Sequence, residues 1–398
     1  MSVPKGEVVV AGHLCLDMIP RFPEQAPRPL GEILRPGALI NMDRMVYATG
    51  GTVSNTGIAL RIFGCEVVSI ARVGDDATGD LILKELARYG NAEGIRVAKG
   101  EASSYSVVLA PPGVDRIFLH CPGTNDTFGP EDVDIALVKG ARLFHFGYPQ
   151  LMRRMFADGG VELSAILRRA KETGVTTSLD MAMPDPAAAS GRADWRSVLA
   201  RALPHTDVFL PSIEEAFACL RPSEYRDRKS APRGAGPLGF LTPQDFHSLG
   251  DEILGMGCAM TALKAGEWGW YFRTGTAERI ARMGRAAPAS VAGWAGRELW
   301  CPAYRVSSIA SATGSGDSSI AGFLTSLLRG CSLEDCLHYA NTAGAHNLSG
   351  LDAVSGLKEW KQVVRDAAAL SLGELPFLSG TEWRYRPEGR LWERPALG

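Results

Sequence analysis

Short apolar runs bounded by glycine or proline recur along this chain. They include Val8-Val9-Val10-Ala11-Gly12, Val67-Val68-Ser69-Ile70, Leu143-Phe144-His145-Phe146-Gly147, residues 175–179, Val208-Phe209-Leu210-Pro211 and Met260-Thr261-Ala262-Leu263. Amphipathic stretches such as 161–173 separate most of them. Runs without polar alternation read as strands covered on both faces, and the intervening helices supply the cover. The pattern predicts an α/β fold, a mostly parallel sheet between two helical layers. With 398 residues the chain can bury a large core and hold one large domain or two.

Composition excludes several classes of function. A formal net charge of -2 and the lack of a long basic run provide no field for nucleic acid. No run of about 18 apolar residues exists, so no membrane span is expected. The first residues, through Glu7, lead straight into a strand without a signal-peptide pattern, which predicts a cytoplasmic protein. The eight cysteines are scattered, with no Cys-x-x-Cys pair. Cys15, Cys65, Cys258 and Cys301 sit in or beside apolar runs, as buried thiols of a reducing compartment do. Cys331 and Cys336 lie close together, but no spacing completes a zinc site.

The strongest chemical signal is residues 311–317, Ser-Ala-Thr-Gly-Ser-Gly-Asp. A helix follows, with Ile320, Phe323, Leu324, Leu327 and Leu328 on one apolar face. Gly314, Ser315 and Gly316 let backbone N–H groups converge at the helix N-terminus, where the dipole also favours an anion. Asp317 does not help to hold an anion. It reads as a base beside a phosphate nest, aimed at a hydroxyl, or as an ordinary helix cap. Upstream, Gly50-Gly51-Thr52-Val53-Ser54-Asn55 opens another helix, and Gly74-Asp75-Asp76-Ala77-Thr78-Gly79 follows the next strand. No Walker A motif is present, so this is not a P-loop enzyme.

This ordered set, running from about residue 8 to residue 360, resembles the ribokinase-like (PfkB) family of sugar and nucleoside kinases. Gly50, Gly51 and Asn55 match its Gly-Gly-x-x-x-Asn motif, residues 74–79 its Gly-Asp-Asp-x-x-Gly stretch, and Thr313, Gly314, Gly316 and Asp317 much of its late signature. The resemblance implies a three-layer α/β/α core and transfer of the γ-phosphoryl group of ATP, with magnesium, to a hydroxymethyl group of a small sugar or nucleoside. It implies Asp317 as base and the amides of Gly314 to Gly316 as the hole for the phosphate charge. It assigns Asp17, Gly50, Gly51 and Asn55 to the acceptor. Ser212, Lys264, Gly266 and Asn341 fall to the nucleotide, and Glu215 to water around magnesium. Each has a plainer reading. Asp17 and the glycines suit turns, Glu215 suits the helix dipole, Lys264 suits a solvated strand end and Asn341 suits close helix packing.

Three departures from the family pattern stand out. Ser311-Ala312 replaces Asp-Thr, which puts a monovalent-cation site in doubt. Asp180-Met181-Ala182-Met183-Pro184 lacks the family's Asn and Arg, which argues against an acidic sugar held by that arginine. Ser212 stands where the family has Asn.

Residues 20–48 and 95–121 break the strand–helix alternation and read as a small projecting sheet, which the resemblance makes a lid over the acceptor. The kinase domain is expected over 1–375. Residues 221–243 read as an exposed, mobile insertion. Residues 376–398 read as a tail outside the family pattern, docked by its aromatics on the domain or on a second subunit, or simply solvated. Oligomeric state stays open, a homodimer included. Two other functions stay open as well. One is a non-catalytic sugar or nucleoside sensor. The other is a nicotinamide-dependent oxidoreductase, which the half-matched fingerprint at Gly314, Gly316 and Ser319 supports only weakly.

Overall fold

Val8 and Val10 belong to one buried core, and Val9 and Ala11 to another on the opposite side of the same strand. That split is the physical content of an unbroken apolar run, because successive side chains face opposite sides of a sheet. The computed structural model describes residues 6–23, 29–92, 94–112, 117–231 and 238–395. Its strands are β1 (Val8–Gly12), β2 (Cys15–Pro20), β3 (Met45–Gly50), β4 (Val67–Gly74), β5 (Ile95–Ala98), β6 (Tyr105–Leu109), β7 (Ile117–Cys121) and β8 (Leu143–Gly147). They continue with β9 (Thr176–Asp180), β10 (Val208–Phe209), β11 (Met260–Lys264), β12 (Trp270–Thr274), β13 (Glu298–Cys301), β14 (Arg384–Arg386) and β15 (Leu391–Glu393).

The large sheet has the order β14-β15-β13-β12-β11-β10-β9-β8-β1-β4-β5. From β5 to β11 all neighbours are parallel, and from β11 outward the pairs are antiparallel. One face is covered by the helices Val161–Glu172, Trp195–Ala202, Ile213–Leu220 and Pro243–Gly255. The other is covered by Thr52–Ile62, Ala77–Ala87, Ser315–Leu328 and Leu333–Asn347. The chain winds from β1 to β4 and β5 on one side, then crosses to β8 and beyond on the other. The switch lies between β1 and β8, and a doubly wound sheet opens its ligand crevice at the carboxyl ends of those strands.

A second sheet of order β3-β2-β6-β7 stands apart. Its limits differ from the sequence expectation. It begins at Cys15, so Asp17 lies within it, and β5 is not part of it. Ile95 to Ala98 instead pair with Ala71 to Gly74 at the edge of the large sheet. Alternation reports one wet face, which an edge strand of the main sheet shares with a strand of a lid. Residues 113–116, between β6 and β7 in sequence, and residues 24–28 of the first segment lie outside the described residues, as do 232–237 of the insertion.

The insertion is more built than its composition suggests. Pro222–Ser230 is a helix, Tyr225 is buried between Phe217 and Phe240, and Arg228 reaches Asp245 at 2.9 Å. The tail also differs from a domain ending at 375. Strand β15 pairs with β13, and β14 with β15, so the tail extends the large sheet. Trp383 packs on Trp300 and Tyr271.

Candidate active site

The crevice between β1 and β8 gathers residues that are remote in sequence. Gly314 takes φ +74°, and a Cβ there would lie 2.5 Å from Ala353, so only glycine turns the chain into the helix Ser315–Leu328. The Ser315 amide bonds Ala312 O at 3.3 Å and the Ser318 amide bonds Gly314 O at 2.8 Å. The Gly316 and Asp317 amides of the first turn keep no acceptor among the described residues.

Asp317 does not cap its own helix, whose N-cap is Gly314 with no side-chain bond. Its buried carboxylate turns across the crevice instead. Oδ2 accepts from Asn55 Nδ2 at 3.1 Å, and Oδ1 accepts from Thr56 Oγ1 at 3.1 Å and from the Tyr148 hydroxyl. A carboxylate offers roughly four lone-pair positions. These three donors fill both on Oδ1 and one on Oδ2, so a single acceptor position on Oδ2 stays open.

Asn55 therefore touches the expected base, and its buried Oδ1 has no hydrogen-bond partner among the described residues. Gly51 takes φ +90°, and a Cβ there would fall 2.4 Å from His13 O. A Cβ on Gly50 would fall 2.6 Å from Asp17 Oδ2, so the glycine pair lets two chain segments meet. Asp17 stands on β2 beside a cavity of about 910 Å³, whose walls include Arg21, Val46, Val108, Phe118, Ser311, Thr313 and Leu351. Burial pushes its carboxyl up to about 6, against weaker opposing bonds from Cys15 and Ser106.

Beyond Asp317, Lys264 ends β11. Its Nζ lies 2.7 Å from Asp180 Oδ1 and also bonds Leu210 O. Burial opposes the Lys264 charge, but Asp180, Glu215 and Asp317 outweigh it and hold the ammonium above its ordinary value. The same burial pushes Asp180 up to about 7 and raises Glu215, with Lys264 pulling both back. Glu215 and Ser212 form a capping box: Ser212 N donates to Glu215 Oε2 at 2.6 Å, and Glu215 N to Ser212 Oγ at 3.1 Å. The helix-terminus reading of Glu215 is thus realised, whatever else its carboxylate does. Among the described residues no cluster of His, Cys, Asp and Glu could hold a metal with protein atoms alone.

Lys264, Gly266, Ser315, Gly316 and Asn341 line one cavity of about 120 Å³, together with Trp270, Ala303 and Tyr304. Ser212, Lys264 and Gly266 line its neighbour. Asn341 spends its amide on the carbonyls of Cys301 and Pro302 at 3.1 and 3.0 Å, so it shapes the cavity wall.

Residues 5–232 and 272–359 match the model of the pfkB family carbohydrate kinases. The chain belongs to that family. An ATP-dependent ribose-1-phosphate kinase of Halopiger xanaduensis is 26% identical over 339 residues, which is 85% of this kinase and 90% of the relative. A fructokinase of Solanum tuberosum is 25% identical over 182 residues, 45% of this chain and 52% of the relative. A ribokinase of Arabidopsis thaliana, solved with ribose and ATP, superimposes with a TM-score of 0.66 at 16% identity, covering 91% of this chain and 98% of the other. A putative ribokinase II from E. coli, solved with ATP and magnesium, gives 0.63 at 18% identity over 92% and 99%. At these identities the structures establish the ribokinase-like fold. The protein is a carbohydrate kinase, and among its described residues no helix is long and apolar enough to cross a membrane.

Sequence reasoning missed Tyr148, Thr56 and the Asp180–Lys264 pair. Tyr148 directly follows β8, so the strand-end rule that singled out Asp17 points to it too. Its backbone is left-handed at φ +58°, a conformation a tyrosine keeps only when its surroundings demand it. Tyr148→Phe is expected to lower kcat about tenfold with the KM for ATP unchanged, since a bond to a carboxylate is lost and the ring is kept. Steady-state kinetics check this, and an unchanged kcat means the hydroxyl does not orient Asp317.

Proposed function

We propose that the kinase transfers the γ-phosphoryl group of ATP to a hydroxymethyl group of a sugar, with Asp317 taking the hydroxyl proton. The observation that carries this reading is the Asp317 carboxylate. It is held by Asn55, Thr56 and Tyr148 with one acceptor position open, directly beside the first-turn amides. The free first-turn amides of Gly316 and Asp317 receive the charge that builds on phosphorus. In this reading Lys264, Gly266 and Asn341, which line the smaller cavity, serve the nucleotide, and Asp17, on the wall of the larger one, serves the acceptor together with Gly50, Gly51 and the Asn55 Oδ1 that has no partner among the described residues. Magnesium brought with ATP supplies charge neutralisation at the phosphates. Glu215 and Asp180, a surplus of buried negative charge, are the residues that fit it, through water.

The size and apolar walls of the Asp17 cavity favour a nucleoside as the second reading, with Val108, Phe118 and Leu351 against the base. The relative named for ribose 1-phosphate adds a sugar phosphate to the candidates, for which Arg21 is a cation on the cavity wall. A coupled ADP assay over free sugars, sugar phosphates and nucleosides is the test. Acceptor-dependent ADP release supports the reading, and ATP binding without turnover on any acceptor supports a sensor instead.

The second sheet acts as the lid in this reading, because water would otherwise receive the phosphoryl group. Amide exchange in β2, β3, β6 and β7 is expected to slow when acceptor binds. Protection confined to residues 314–328 would reject the lid.

A further inference from the structure

The family match ends at residue 359, yet residues beyond it reach the wall of the cavity that holds Lys264 and Gly316. Tyr304 lies on that wall and is buried. Its hydroxyl is 3.0 Å from His338 Nδ1, and His338 Nε2 is 2.8 Å from the carbonyl of Gly389 in the turn between β14 and β15. A carbonyl only accepts, so His338 Nε2 donates to Gly389 O, while the single Tyr304 hydroxyl proton faces two acceptors, the Ala367 carbonyl at 2.9 Å and Nδ1 of the neutral ring. Burial holds His338 below its ordinary value, in keeping with that neutral form.

The same turn makes a second tie. Arg390 donates to Ala367 O and Leu370 O, each at 2.7 Å, and its guanidinium lies 6.0 Å from the Tyr304 ring. Arg390 does this from a left-handed backbone, φ +49°, which is costly for a residue with a Cβ. The chain it clamps runs on to pair with the wall itself: Arg305 N bonds Ser371 O at 2.9 Å, and Gly373 N bonds Ala303 O at 2.7 Å. Strand β15 meanwhile holds β13, whose continuation leads to the wall residues Ala303 and Tyr304. Tyr304 is therefore fixed from behind on its hydroxyl, its ring and its backbone.

We propose that the C-terminal hairpin β14–β15 is a working part of the nucleotide site, with His338 and Arg390 as positioning residues for Tyr304. This rests on reading that cavity as the place where ATP binds. The hairpin makes the wall rigid before ATP arrives, so ordering it costs no binding energy. Loss of the clamp leaves the cavity residues intact and lets Tyr304 move.

Arg390→Gly in the full chain separates this from a role in stability alone, because glycine relieves the left-handed strain while removing the clamp. Binding of a fluorescent ATP analogue is expected to weaken about tenfold, with little change in the melting temperature of the free protein. Tyr304→Phe keeps the ring and removes the hydroxyl's ties to Ala367 and His338, and is expected to weaken binding in the same direction. A lower melting temperature with unchanged analogue affinity in both variants overturns the proposal and leaves the hairpin as a brace. Failure of the unaltered protein to bind the analogue overturns the nucleotide reading of the cavity, and the proposal with it. Tight binding by the unaltered protein and both variants alike overturns the proposal alone.

Discussion

Asp317→Asn is expected to cut turnover by about a hundredfold or more while the protein stays folded and still binds ATP. Asparagine preserves the shape and one acceptor oxygen but cannot take the proton of the attacking hydroxyl. The three donors around the carboxylate make a second, separable effect. With an amide in place of one oxygen, at least one of Asn55, Thr56 and Tyr148 faces a donor. An unsatisfied buried group of this kind costs about 1–3 kcal/mol of stability. A thermal melt reads that cost, and single-turnover kinetics read the chemistry. Near-normal turnover in the pure variant would remove Asp317 from the reaction, and its contacts would then serve only to tie two helices together.

Asp17→Ala is expected to weaken acceptor binding by roughly ten- to a hundredfold, the worth of about 1.5–3 kcal/mol for a hydrogen bond to a charged group. ATP affinity should change little, because Asp17 lies by the large cavity and not by the one lined by Lys264. The raised carboxyl adds a pH signature. Burial pushes the Asp17 carboxyl up to about 6, so above that pH it is ionised and, on the proposed reading, free to accept from two acceptor hydroxyls. As pH falls through about 6 it protonates and loses acceptor capacity. The KM for acceptor should therefore rise on the acid side, and this rise should vanish in Asp17→Asn. Calorimetry showing unchanged acceptor affinity in Asp17→Ala would place the acceptor elsewhere.

Some of this was legible residue by residue. The Gly314-Ser315-Gly316-Asp317 turn carries its own geometry, since only glycine accepts φ +74° there and the first helical amides are free by rule. The runs at Val8, Leu143 and Val208 are buried on both faces as their composition requires. Lys264, Gly266 and Asn341, spread over the last third of the chain, do line one cavity. Other features were not legible, because they depend on pairing across space. Ile95 to Ala98 has the same alternation whether it edges the main sheet or a lid, and only its register with Ala71 to Gly74 decides. The tail's aromatics left docking on the domain, docking on a second subunit and a solvated end all open, and only the pairing of β15 with β13 decides.

The sequence by itself determined the α/β class, the two glycine turns and the acid at the head of the late helix, because local sterics and hydrophobic periodicity act over a few residues. Only the tertiary structure decided what that acid touches. Asn55 and Tyr148 lie 262 and 169 residues from Asp317 in the chain, and nothing in their local propensities points their donors at one carboxylate. The switch between β1 and β8 brings them there, and the same long-range packing carries the C-terminal hairpin to Tyr304.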